Sequence, residues 1–331
     1  MTPTKTLPLA SMFLSVLVLL FPGRARGQQD ETLAGVLAQN SVSFQSISIP
    51  HLNDAITSYT TLNTDREFLI AYYLVAPRNE LHFPLLLTRL DKQSGKWQEA
   101  SLTDLKVKMS EGTEPEPWDC IGSALRFERN GDWYYLDLHL TPSAGCVVIL
   151  NHDLTVHQTL TGWTVAFLKS GLVVYEGNMV HFAPVHAETL FLYDPVAQKS
   201  QQIYPQTNDP FRKNFSDRLE AVIDEKRCRE NNWPCDPNDF ETSIGPIEVN
   251  DETHSLAFRV GFGPEGFVPR EEAEGNGKWD DDEYVYVYQL APLRWREFSV
   301  YDLKPKFGTD SLKDLLTPEK LRQVFATPSP R

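Results

Sequence analysis

The sequence predicts a mainly β protein built from repeated four-stranded units and exported before it folds. Three observations predict it. Short runs of aromatic and β-branched residues recur along the chain, turns holding Asp, Asn or Pro separate paired runs, and an apolar N-terminal leader precedes them all.

The leader comes first. "MTPTKTLPLASMFLSVLVLLFPGRARGQQ" carries one basic residue, Lys5, before an apolar run from Leu7 to Phe21, and Ala25 and Gly27 place small side chains where a signal peptidase needs them. Residues 1–27 therefore read as a signal peptide cleaved after Gly27. An uncleaved anchor is the alternative, although the run is shorter than the ~20 apolar residues of a membrane span. The mature chain is expected to be secreted or periplasmic, with no membrane span.

The strands follow. "FLIAYYLV", "SALRFERNGDWYYLDLHL", "GCVVILNHDLTVHQTL", "TLFLYDPVAQKSQQIYP", "SLAFRVGF" and "YVYVYQLAPLRWREFSV" are apolar runs of strand length. Several share one phrasing: an apolar strand, a turn, then a strand of mixed polarity. The turns centre on Asp91, Asp153, Asp194 and Pro292, separated by 62, 41 and 98 residues. Residues 206–244 break the last interval, because Phe215, Leu219, Val222 and Ile223 fall at helical spacing there. Without those 39 residues the gap is 59.

A four-stranded unit of ~40 to 45 residues is the size of a propeller blade. The phrasing of "RLDKQSGKWQEA" also resembles blades of the broad β-propeller class. That resemblance spans residues 42–301 and implies blades near 57–102, 120–161, 163–204 and 245–301, four or five in number. The strand "SVSFQSISI", residues 41–49, would close the ring by pairing with the last blade. Two β-sandwich domains are the alternative. After the β domain, residues 302–331 read as a helical tail. Thr317-Pro318-Glu319 marks a helix start, with Leu321, Val324 and Phe325 on one side.

Export makes the four cysteines disulfide candidates. Neither the six residues between Cys228 and Cys235 nor the 25 between Cys120 and Cys146 suits a zinc site, and no Cys-x-x-Cys occurs. Each cysteine is therefore expected to pair with its sequence neighbour, Cys228–Cys235 stapling the end of the helical insertion. The net charge is −14, and loss of the leader's Lys5, Arg24 and Arg26 takes it to −17. With its basic residues scattered, the chain is not expected to bind nucleic acid.

The residues that could carry chemistry are few. In "DWYYLDLHL", Tyr134, Leu136, Leu138 and Leu140 occupy one face, and Tyr135, Asp137 and His139 the other. Asp137 and His139 either satisfy each other and nearby backbone or line a channel, where Asp137 would serve as a general acid or base. Tyr284, Tyr286 and Tyr288 form a stripe that either packs between sheets or offers a platform to a sugar or peptide. Asp280, Asp281, Asp282 and Glu283 form an acidic loop whose oxygens suit calcium, the one cofactor the sequence suggests. Eight histidines give no metal signature, and no nucleophile elbow or phosphate loop occurs.

These readings point to an exported, non-catalytic binding or interaction module for a protein or carbohydrate ligand. Its insertion is the expected contact surface and Trp233 that surface's aromatic contact. A secreted glycoside hydrolase using channel-mouth carboxylates is the alternative.

Overall fold

The computed structural model describes residues 31–43, 49–75, 84–103, 105–107, 116–117, 123–141, 144–177, 186–187, 189–205, 240–264 and 284–326. The fold is mainly β, in four antiparallel sheets of four or five strands. Sheet I holds β1 (Glu31–Thr32), β2 (Ala55–Asn63), β3 (Glu67–Leu74), β4 (Leu85–Asp91) and β5 (Trp97–Ser101). A ribbon of β6 (Lys106–Val107) and β7 (Glu116–Pro117) leads on to sheet II. That sheet holds β8 (Ser123–Asn130), β9 (Trp133–Thr141), β10 (Ala144–Leu150) and β11 (Val156–Thr161). Sheet III is β12 (Trp163–Phe167), β13 (Val173–Glu176), β15 (Leu190–Asp194) and β16 (Lys199–Tyr204). Sheet IV is β17 (Phe240–Asn250), β18 (Ser255–Pro264), β19 (Tyr284–Leu290) and β20 (Leu293–Ser299), with β14 (His186–Ala187) parallel along β17. Each sheet contains one of the four repeated turns.

Each sheet contains a unit of four successive antiparallel strands, beginning at β2, β8, β12 and β17, and the expected turns join the third and fourth strands of these units. Asp91 Oδ1 accepts from the amides of Gln93 and Ser94, and Asp194 Oδ1 from those of Val196 and Ala197. Asp153 Oδ1 accepts from the Thr155 amide and hydroxyl, and Pro292 occupies the equivalent turn of sheet IV. The repeated aspartates are thus Asx turns that tie the hairpin to its own backbone.

Packing follows from strands that are apolar on both faces. In β3, Leu69, Ala71 and Tyr73 face sheet II, where they meet Phe127, Tyr134, Leu136 and Leu138. From the other face Phe68, Ile70 and Tyr72 meet Leu33, Val36 and Leu37 of α1 (Leu33–Gln39). Tyr135, Val147 and Ile149 of sheet II pack on Val173, Tyr175 and Tyr193 of sheet III. Leu190, Ile203 and Tyr204 of sheet III pack on Phe258, Tyr286 and Tyr288 of sheet IV. Beyond sheet IV lie α2 (Val300–Phe307), α3 (Leu312–Leu315) and α4 (Pro318–Ala326). Their Leu303, Phe307, Leu315 and Val324 cover Ala257, Val285 and Val287. The Thr317 carbonyl accepts from the Leu321 amide, so α4 starts at the Thr-Pro-Glu signal.

This order corrects the expected ring. The described residues form an open stack of four sheets with helices against both outer faces, and no strand pairing among them joins sheet IV to sheet I. The reason is steric: α1, Val42 and Ile49 occupy the face of sheet I that a closing blade would need. Ser41–Ser43 and Ile49 are not strand, while residues 44–48 lie outside the described residues. The continuous stack also replaces the alternative of two separate sandwiches. The expected helical insertion needs a second correction, because residues 240–244 already belong to β17; residues 206–239 lie outside the described residues.

Candidate functional site

The first strand of every four-strand unit, β2, β8, β12 or β17, contains a β-bulge against the second. The register shifts between Thr57 and Tyr59 in sheet I, Ala124 and Arg126 in sheet II, Thr164 and Ala166 in sheet III, and Ile244 and Ile247 in sheet IV. A bulge leaves backbone groups unpaired and bends its strand, freeing them for a neighbour. Two junctions use that freedom. Ser58, at φ 43°, accepts the Ala124 amide on its hydroxyl at 3.2 Å, linking sheets I and II. Between sheets II and III, Asp137 of β9 accepts from the Thr164 hydroxyl at 2.5 Å and from the Thr164 amide at 3.4 Å.

Asp137 is 4% exposed, and burial pushes its carboxyl up from 3.8 to about 6, against the bonds from Thr164 and the charge of Arg126. The nearest cation is the Arg126 Nε, 3.8 Å from Oδ2, and the Arg126 guanidinium also lies over the Phe167 ring at 5.3 Å. His139, two residues on, does not bond Asp137; its ring lies 5.6 Å from that of Trp163. The alternation read from the sequence therefore holds, but Asp137 and His139 turn to different partners. Glu176, opposite Trp163 in register, is pushed up to about 7 by burial.

A second polar cluster lies between sheets I and II. Glu67 is 2% exposed and accepts from Arg89 Nε at 2.8 Å, Arg129 Nη1 at 2.8 Å and the Tyr134 hydroxyl at 2.7 Å. Burial pushes its carboxyl up, but the hydrogen bonds of Tyr134 and Arg89 and the charges of both arginines outweigh it and hold it below its ordinary value. Arg89 also reaches His152: Nη2 lies 2.7 Å from the ring Nε2, and Nη1 donates to the His152 carbonyl at 3.2 Å. Arginine has only donors, so the imidazole nitrogen accepts. Sequence reasoning missed Glu67, Arg89 and Thr164. The available signal was a lone charge at the start of "EFLIAYYLV" and another inside "LLLTRLD", since charges in doubly apolar strands need buried partners.

The remaining candidates divide. Tyr286 and Tyr288 are fully buried and Tyr284 half-buried. Tyr286 and Tyr288 stack on Phe258, and the Tyr288 hydroxyl donates to the Ile203 carbonyl at 2.6 Å, so these two side chains pack between sheets III and IV. Cys146 carries a free, buried thiol, so the expected Cys120–Cys146 bridge is not supported; Cys120 lies outside the described residues. Its side chain points into the core between sheets I and II, where a thiol behaves as a small apolar group, and burial raises its pKa strongly. Cys120, Cys228, Cys235, Trp233, Asp280, Asp281, Asp282 and Glu283 lie outside the described residues. Among the described residues no group of three His, Cys, Asp or Glu could hold a metal, and no helix is long and apolar enough to cross a membrane.

Connection lengths distinguish the two ends of the stack. At the end carrying the Asp turns, every connection between strands has at most five residues. The opposite end carries the links from β3 to β4, β13 to β15 and β18 to β19, and those from sheet I to II and sheet III to IV, the last spanning residues 205–239.

No protein-family model matches the chain, and no curated protein matches it. Among solved structures it is similar to a glutamate-to-glutamine variant of Synechocystis apocarotenoid oxygenase, with 10% identity over 77% of this chain and 61% of that one and a TM-score of 0.25. A tryptophan-to-alanine variant of the same enzyme gives 9% identity over 80% and 61%, with a TM-score of 0.27. The chain thus spans 61% of the length of these enzymes. TM-scores this low carry no argument about fold or function.

Proposed function

We propose that the chain is an exported, non-catalytic binding or interaction module, made of propeller-like units in an open stack, that meets a protein or carbohydrate ligand at its long-connection end. The observation that carries this reading is the uneven placement of chain length. Short, self-bonded turns close one end of the four sheets, and the strands that flank the long segments end at the other. Binding residues collect on such loops, because a rigid scaffold positions them without constraining their sequence. The insertion carrying Trp233 enters at that end, and so does the 265–283 segment, whose Asp280–Glu283 run is the place to test for calcium.

Glycan and secreted-protein arrays probed with the mature chain test the reading. Saturable binding that weakens in Trp233→Ala and survives in Asp137→Asn is expected. Absence of any saturable ligand would count against it.

A second reading, a secreted glycoside hydrolase, is favoured by one observation: burial raises both Asp137 and Glu176 into the range of a working acid. Its test is a panel of polysaccharides and chromogenic glycosides. Turnover abolished by Asp137→Asn would establish hydrolysis and overturn the binding-module reading.

A further inference from the structure

We propose that the junction of sheets II and III is a pH-responsive joint, in which Asp137 fastens β9 to the bulged strand β12 when protonated and loosens that attachment when ionised. The contrast with the neighbouring junction is the starting point. Sheets I and II meet at their bulges through Ser58, a hydroxyl that stays neutral, whereas sheets II and III meet through a carboxylate.

The groups around Asp137 decide what ionisation does. From β8, Arg126 offers its Nε only at 3.8 Å, with a side chain 38% exposed and drawn over Phe167, while the charge of Glu128 acts against a second negative charge. From β10, Val147 stands opposite Asp137 in register, and the Cys146 thiol lies on the other face of sheet II, toward sheet I, kept neutral by burial and by the charge of Asp137. Among the described residues only Thr164 of β12 supplies close donors. A protonated carboxyl and the Thr164 hydroxyl share one hydrogen bond with no net charge to bury. An ionised carboxylate at 4% exposure keeps that bond but loses most of its hydration, with one distant cation in return.

The sign follows from linkage. The closed joint holds its proton up to about pH 6, whereas a solvent-exposed aspartate loses it near 3.8. Closure is therefore fully favoured below the lower value and is weakened as pH rises through the higher one. The full difference is roughly a hundredfold in the closed-to-open ratio.

Hydrogen exchange on the full mature chain, corrected for the intrinsic pH dependence of exchange, reads this directly. Protection of the Trp163–Phe167 segment should fall roughly tenfold between pH 5 and pH 8, the rest of the hundredfold difference lying below pH 5, while the Ala55–Asn63 segment stays level. Asp137→Asn, which keeps an acceptor for Thr164 without the charge, should reduce the fall and leave only the share of Glu176, whose carboxyl opposite Trp163 is also pushed up by burial. Thr164→Val, which removes the hydroxyl that stabilises the ionised form, should carry the fall to higher pH, and it serves as the test should the asparagine variant fail to fold. An unchanged fall in Asp137→Asn, protection that is flat or rising with pH in the unmodified chain, or a Thr164→Val profile identical to it would overturn the proposal.

Discussion

Replacing Glu67 by glutamine keeps the shape of the side chain and removes only its charge, so the change isolates what the buried carboxylate does between sheets I and II. Three donors converge on it. The Arg89 side chain is 11% exposed, so its bond to Glu67 is a buried charged one, worth about 2 kcal/mol. Arg129 is 38% exposed and its pair is discounted to below ~1 kcal/mol. The neutral hydroxyl of Tyr134 adds about 1 kcal/mol. Stranding the Arg89 charge without its partner brings the expected loss to about 3 to 5 kcal/mol.

The assay is urea unfolding of the unmodified chain and the variant, followed at pH 7 and again in acid. Because the folded carboxyl titrates below its ordinary 4.5, its stabilisation is present above that value and is lost as pH falls through the folded one. The gap between the two proteins should therefore be full at pH 7 and should close in acid. A loss under ~1 kcal/mol at pH 7, or a gap that persists unchanged at low pH, would refute the reasoning. The sign is opposite to that at Asp137, where burial prevails over its partners.

Two further outcomes are expected. Gly162 joins sheets II and III at φ 124°, where an added Cβ would lie 1.7 Å from the Glu176 carbonyl oxygen, so Gly162→Ala should cost at least ~3 kcal/mol. A melting temperature within a degree of the unmodified chain would contradict that. Cys146, buried and raised, should resist iodoacetamide in the native protein and react once unfolded. Recovery of a Cys120–Cys146 peptide without reduction would show the bridge instead.

What the sequence by itself determined is what short-range chemistry decides. Asp91, Asp153 and Asp194 mark turns because an aspartate bonds its own backbone two or three residues on. The alternation of "DWYYLDLHL" assigns Tyr134 and Tyr135 to opposite cores because successive strand residues point to opposite faces. Thr317-Pro318 starts a helix because proline suits its first turn. Of the candidate site, Asp137 was legible as a costly polar residue in an apolar strand, but its partner was not. Thr164 lies 27 residues away, in the next sheet.

Only the tertiary structure decided the openness of the stack, the bulge shared by all four first strands, and the meeting of Glu67 with Arg89 and Arg129. Those depend on strand register and on which face a helix happens to cover. Glu67 and Arg89, 22 positions apart, are brought together by the register of β3 on β4, and Glu67 and Arg129, 62 apart, by the packing of sheet II on sheet I; no local pattern specifies either. A period-two strand with two apolar faces states that it must be covered on both sides; whether a blade or a helix does the covering is settled by the rest of the chain.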